Sequence, residues 1–126
     1  MQINTTGVAW FEIPVEIFSR AKYFYSRVFE CTIPTQQIDS HFVGLLTFGR
    51  PQAQGAIICA EGYIPSERGP LIFLNPGLAL APLLERVNEY GGEVLAAAVA
   101  IPGGAGHYAI IRDSEGNRLG ISAADE

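Results

Sequence analysis

Trp10 and Glu12 stand two residues apart in the run Val8-Ala-Trp-Phe-Glu-Ile-Pro-Val15, which is apolar enough to be a buried strand. Strand alternation puts both on one face. A carboxylate in such a strand is costly unless it meets a ligand or an internal cation. Glu12 is therefore either a ligand-facing group, able to serve as a general base, or half of an ion pair. Cys59 and Glu61 repeat the two-residue spacing at the end of Ala56-Ile-Ile-Cys-Ala60. Cys59 offers a soft donor. Glu61 either faces the mouth of a site or is one of the solvated carboxylates usual in a turn. His41 follows Asp39-Ser40 and reads as a surface histidine, whereas His107 opens a strand after Pro102-Gly-Gly-Ala-Gly106 and is a candidate for the rim of a cavity. No nucleophile elbow or catalytic triad pattern is present. Gly104-Ala-Gly-His-Tyr-Ala109 fits the loose dinucleotide fingerprint, but a strand follows it where a helix is required. Its glycines instead suggest a loop able to move over a site.

The elements that would position these groups follow from periodicity. Val8 to Val15 reads as a strand and Glu16 to Phe29 as a helix, with Ile17, Ala21, Phe24, Tyr25 and Val28 forming one apolar stripe. Strands are expected at Thr32 to Ile38, Phe42 to Phe48 and Gly55 to Ala60. A turn-rich linker follows over 61–69, and then the order repeats. Pro70 to Asn75 is a strand and Leu80 to Tyr90 a helix with a Leu83, Leu84, Val87 and Tyr90 stripe, ended by Gly91-Gly92. Further strands are expected at Glu93 to Ala98, His107 to Arg112 and Arg118 to Ser122. Between the last two, Asp113-Ser-Glu-Gly-Asn117 makes a hairpin turn, with Gly116 and Asn117 expected to take left-handed conformations. The chain is thus two strand-helix-strand-strand-strand units, about 7–60 and 70–123, within one domain over 1–126. Set edge to edge, they make a curved eight-stranded mixed sheet of the α+β class, helices outside, with a cupped inner face.

Composition narrows the possible partners. Eight basic against thirteen acidic side chains leave a net charge of −5, which argues against nucleic-acid binding. No apolar run approaches the roughly 20 residues of a membrane span, and the first residues lack the basic and apolar regions of a signal peptide. A soluble cytoplasmic protein is expected. Cys31 and Cys59 read as buried reduced thiols.

Trp-Phe-Glu-Ile-Pro-Val, Arg-Ala-Lys-x-Phe-Tyr-x-x-Val-Phe, Gly-Tyr-x-Pro-Ser and Asp-Ser-Glu-Gly-Asn-Arg-Leu-Gly-Ile-Ser, in this order, resemble the vicinal oxygen chelate superfamily. That superfamily groups glyoxalase I, extradiol dioxygenases, fosfomycin-resistance transferases and bleomycin-binding proteins. The likeness spans nearly the whole chain and is greatest to single-domain, glyoxalase-related bacterial proteins. It implies a divalent metal held by His, Gln or Glu at four inward positions, which fall here on Trp10, Cys59, Pro70 and Gly120. Trp10, Pro70 and Gly120 have no side-chain donor for such an ion. The expectation is therefore a cup without the family's metal or any other cofactor, binding a small organic molecule through Trp10, Glu12, Cys59, Glu61 and His107. Such a protein would sequester, sense or react without metal. Trp10 would either stack on a flat or cationic ligand or fill the space that a metal and its waters occupy in relatives. The alternatives are a metal-dependent glyoxalase-like lyase or isomerase or a dioxygenase, with donors among Glu12, Glu61, His41 and His107, and a degenerate scaffold that acts through protein contacts. A homodimer is expected, since Phe18, Tyr23, Phe24, Tyr25 and Phe29 give the first helix more aromatic surface than one stripe buries. Whether the two units of one chain close a cup together, or units of different chains do, stays open.

Overall fold

The structure is a computed structural model that describes residues 7–104 and 106–124. The terminal residues weighed for a signal peptide and Ala105 in the glycine loop lie outside the described residues. Eight strands and two helices follow one another as β1 (Phe11–Pro14), α1 (Phe18–Val28), β2 (Thr35–Ile38), β3 (His41–Leu46), β4 (Gly55–Cys59), β5 (Phe73–Leu74), α2 (Leu80–Glu89), β6 (Glu93–Ala100), β7 (His107–Arg112) and β8 (Arg118–Ala123). Hydrogen bonding divides the strands four and four, in the orders β1-β4-β3-β2 and β5-β8-β7-β6. In each sheet the first strand runs parallel to the last and the rest are antiparallel. Both sheets are mixed and the class is α+β, as the order of elements implies.

β1 and β5 are the edge strands of the two sheets, and Pro14, the last residue of β1, has no N–H to offer a further strand. The carbonyl of Pro14 is taken instead by a side chain, accepting from Asn117 Nδ2 at 2.7 Å. A seam runs between the two sheets.

One core serves both. Ala21, Phe24, Tyr25 and Val28 of α1 and Leu80, Leu83 and Val87 of α2 are buried against Ile13, Val15, Leu46 and Ile57 of the first sheet and Leu74, Ile111, Leu119 and Ile121 of the second. Each fully buried Val, Leu, Ile or Phe among them stabilises by roughly 1.5–3 kcal/mol. The helices pack on each other as well as on the sheets, and Arg86 Nε donates to the carbonyl of Val28 at 2.9 Å. Ile17 departs from the expected stripe, being exposed just ahead of the helix. Much of the surplus aromatic surface of α1 is covered within the chain: Phe18 packs on Phe42, Tyr23 on Tyr90 and Phe29 on Phe48.

The helix ends show how the local sequence works. α2 tolerates Pro82 because it lies in the first turn, where its missing N–H has no helical acceptor to serve. Gly91, at φ 105, ends that helix, and Gly92 N donates to Val87 O at 2.8 Å. At the hairpin, Gly116 takes the left-handed conformation (φ 96) while Asn117 does not, contrary to expectation. Asn117 is held otherwise, its amide bonded to Pro14 and Asp113 and its Oδ1 accepting from Ser66 N at 3.0 Å.

Candidate functional site

Alternation along β1 separates two sets of side chains. Ile13 and Val15 point to the helices and the core, so Glu12 and Pro14 point to the opposite, outer face of the sheet. Trp10 precedes the strand and is 43% exposed. Its indole Nε1 donates to Glu12 Oε2 at 3.2 Å, and the Tyr63 hydroxyl donates to Glu12 Oε1 at 2.8 Å. Each carboxylate oxygen of Glu12 thus has one donor. The hydrogen bond to Glu12 and its negative charge hold the Tyr63 phenol above its ordinary pKa, so Tyr63 remains a donor at neutral pH.

The remaining expected residues do not gather around this pair. Cys59 shares the helix-facing side of β4 with Ile57; its thiol packs against the core and donates to the carbonyl of Glu16 at 3.3 Å. It lies on the face opposite Glu12. Glu61 is exposed in the turn after β4. His107 pairs with Ala123 at the start of β7, on the side of Ala109 and Ile111, which is the core side of the second sheet. His41 opens β3 at the turn from β2, opposite Ile38. Trp10 and Glu12 are joined, and Cys59, Glu61 and His107 stand apart from them.

A cavity of ≈ 260 Å³ opens beside Glu12 at the seam between the sheets. Sequence reasoning did not find it, because its walls come from three separated segments: β1, residues 64–72 and residues 117–119. Arg68 and Arg118 line it, together with Ser66, Asn117 and the apolar Ile64 and Ile72. The only signal along the chain was the concentration of turn-forming residues in the 61–69 connection.

Of the four positions that the resemblance assigns to metal ligands, Trp10, Cys59, Pro70 and Gly120, only Cys59 carries a side-chain donor for a metal ion. Among the described residues no group of three His, Cys, Asp or Glu side chains is close enough to hold an ion. Gly120, at one of the four positions, lies on the outer face of β8 directly under the ring of Phe73, its partner in β5. A Cβ built on Gly120 would come within 2.4 Å of the Phe73 ring, so the volume a ligating side chain would need is filled by an aromatic one.

No family model matches the sequence, and no curated protein matches it. Solved structures do. A glyoxalase-related enzyme from Fulvimarina pelagi superposes with a TM-score of 0.62 at 17% identity, covering 94% of this chain and 88% of that one. The fosfomycin resistance protein FosX from Listeria monocytogenes gives 0.65 at 14% identity, covering 95% and 94%. Glyoxalase I from Zea mays gives 0.64 at 14% identity, with 90% of this chain matched to 44% of that one. The chain has the fold shared by glyoxalase, bleomycin-resistance and fosfomycin-resistance proteins, the vicinal oxygen chelate fold.

Proposed function

We propose that this chain binds a small organic molecule on the outer face of β1, between Trp10 and the seam cavity, without the metal used by relatives of this fold. The observation that carries the reading is the Glu12 carboxylate, fixed by the Trp10 indole and the Tyr63 hydroxyl on an exposed face beside a cavity. A carboxylate held by two donors is preorganised, and its remaining lone pairs can orient a ligand or accept a proton from one. Trp10 supplies a flat apolar surface next to it. Glu61 is exposed in the turn after β4, and Cys59 and His107, on the core-facing sides of their sheets, are not among the residues that line the cavity.

A second copy of the chain completes the binding surface. Ile38, Phe73 and Val99 are large apolar side chains exposed on outer strand faces, away from the helices that bury the rest of the core. Because α1 and α2 pack together inside one shared core, each chain presents its outer faces outward, and a partner is the natural cover for them.

Trp10 is the only tryptophan, so its emission reports directly on the site. Protein treated with a chelator is screened against a library of small organic acids, amines and aromatics by tryptophan fluorescence and melting temperature. Ligands that quench Trp10 and raise the melting temperature, and lose both effects in Glu12→Ala, are the expected result. Binding that appears only after nickel, zinc, manganese or iron(II) is added overturns the metal-free reading.

A further inference from the structure

The arginines of this acidic chain are unevenly matched. Arg20 pairs with Glu115 and Arg86 with Glu30, and Arg112 is bonded to both Glu67 and Glu93. Among the described residues Arg27, Arg50, Arg68 and Arg118 make no ion pair, although the chain has thirteen acidic residues to eight basic ones; Arg27 lies over the ring of Tyr23, and the pair set beside Glu12 is Arg68 and Arg118. These two arginines line the same cavity.

Their convergence is built into the backbone. Arg68 N donates to Ser66 Oγ at 3.0 Å, which bends the connection at Arg68. Ser66 N in turn donates to Asn117 Oδ1 at 3.0 Å, and Asn117 is the residue directly before Arg118. Asn117 is 5% exposed and is bonded to Pro14 and Asp113. The segment that carries Arg68 is therefore tied to the strand that carries Arg118 through a buried amide, and not by a chance approach of two flexible side chains. Ile64, Pro70 and Ile72 give the same cavity an apolar wall, and Glu12 stands on it as a fixed negative charge.

Guanidinium groups left without carboxylates beside a cavity are receptors for planar or tetrahedral oxyanions, which they bind through charge-assisted hydrogen bonds. We propose that the seam cavity takes a small amphiphilic molecule with one anionic group, a carboxylate, phosphate or phosphonate bound by Arg68 and Arg118, and an apolar body that lies against Ile64, Pro70 and Ile72. Glu12 sets the limit to one anionic group, because a second would share the cavity with its carboxylate. This names the ligand class for the small-molecule reading above and rests on it.

The test is calorimetric titration of the full chain with benzoate, phenylphosphonate, terephthalate and the neutral benzamide, with Trp10 emission followed in parallel. The expected result is that benzoate or phenylphosphonate binds at least tenfold more tightly than benzamide, and that terephthalate, with its second charge, binds more weakly than benzoate. Whether the carboxylate or the phosphonate binds better identifies the source of the anionic group. Arg68→Gln and Arg118→Gln, both at exposed positions, should each weaken the preferred anion about tenfold and leave benzamide unaffected. Equal affinity for benzamide and the anions overturns the proposal, as does anion affinity unchanged in both variants. Benzamide binding that quenches Trp10 with no preference for anions overturns it while leaving the small-molecule reading intact. Arginine variants that change only the oligomeric state also overturn it, since the groups would then serve a partner's carboxylates.

Discussion

Tyr25 and Asp113, 88 residues apart in sequence, meet through a 2.5 Å hydrogen bond from the phenol to Asp113 Oδ2 inside the core. Asp113 is 2% exposed and also accepts from Glu115 N, Asn117 N and Asn117 Nδ2. The first helix is thereby fastened to the last hairpin. Burial, then the charge of Asp113 and the bond to it, push the Tyr25 phenol well above its ordinary pKa, so it stays a donor. Tyr25→Phe deletes one donor from a buried carboxylate that keeps its other partners, and should cost about 2 kcal/mol of unfolding free energy. Urea denaturation measures it. A loss below about 0.5 kcal/mol would mean that Asp113 is satisfied without the phenol.

Glu115 makes the fold sensitive to acid. Its Oε1 accepts from Glu16 N at 3.0 Å and Ile17 N at 2.8 Å, and Arg20 donates to both of its oxygens. Burial alone would raise its carboxyl, but the bonds from Arg20, Ile17 and Ser114 outweigh burial and hold it below the ordinary value of 4.5. Between the lowered folded value and 4.5 the unfolded chain binds the proton more readily. The stability that Glu115 contributes is therefore fully present above pH 4.5 and is lost as the pH falls through the folded value. Melting temperature followed from pH 7 downward should fall more steeply in the parent protein than in Glu115→Gln. Parallel curves would assign the acid sensitivity to other carboxylates.

That same residue marks where sequence reading stopped. Every element was legible from periodicity and turn chemistry, because alternation in β3, β7 and β8 and the stripes of α1 and α2 are local patterns. The start of α1 was not. Ile17 at the cap position has no capping side chain, and the backbone leading into the helix is held instead by Glu115, which accepts from Glu16 N and from Ile17 N, 98 residues away in sequence. The site divided along the same line. Trp10 and Glu12, two residues apart on one strand, were found together, whereas Arg68 and Arg118 are brought to one cavity only by the bond from Ser66 to Asn117. Cys59 was set on the ligand side by counting along a short strand, and a one-residue difference in such a count turns a side chain to the other face.

Phe73 covers Gly120 as Phe11 covers Gly55, an aromatic ring over a glycine in the neighbouring strand of each sheet. Gly120→Ala puts a methyl group within 2.4 Å of the Phe73 ring and should cost about 1–3 kcal/mol. Phe73 is 48% exposed and can be replaced without opening the core, so Phe73→Ala added to Gly120→Ala should recover most of that loss. Chemical denaturation of the four members of this cycle decides it. Additive losses would show that the ring does not fill the space above Gly120.

Glu12 separates stability from binding. Its bonds to Trp10 and Tyr63 are exposed to solvent, where such contacts contribute little. Glu12→Ala should therefore leave unfolding free energy within about 0.5–1 kcal/mol of the parent protein. It should nevertheless shift the emission of Trp10, which loses its acceptor, and abolish the response of that emission to any ligand the parent protein binds. A loss of several kcal/mol would instead make Glu12 a structural strut of β1. Unchanged ligand affinity in a stable Glu12→Ala variant would place the binding surface elsewhere on the molecule.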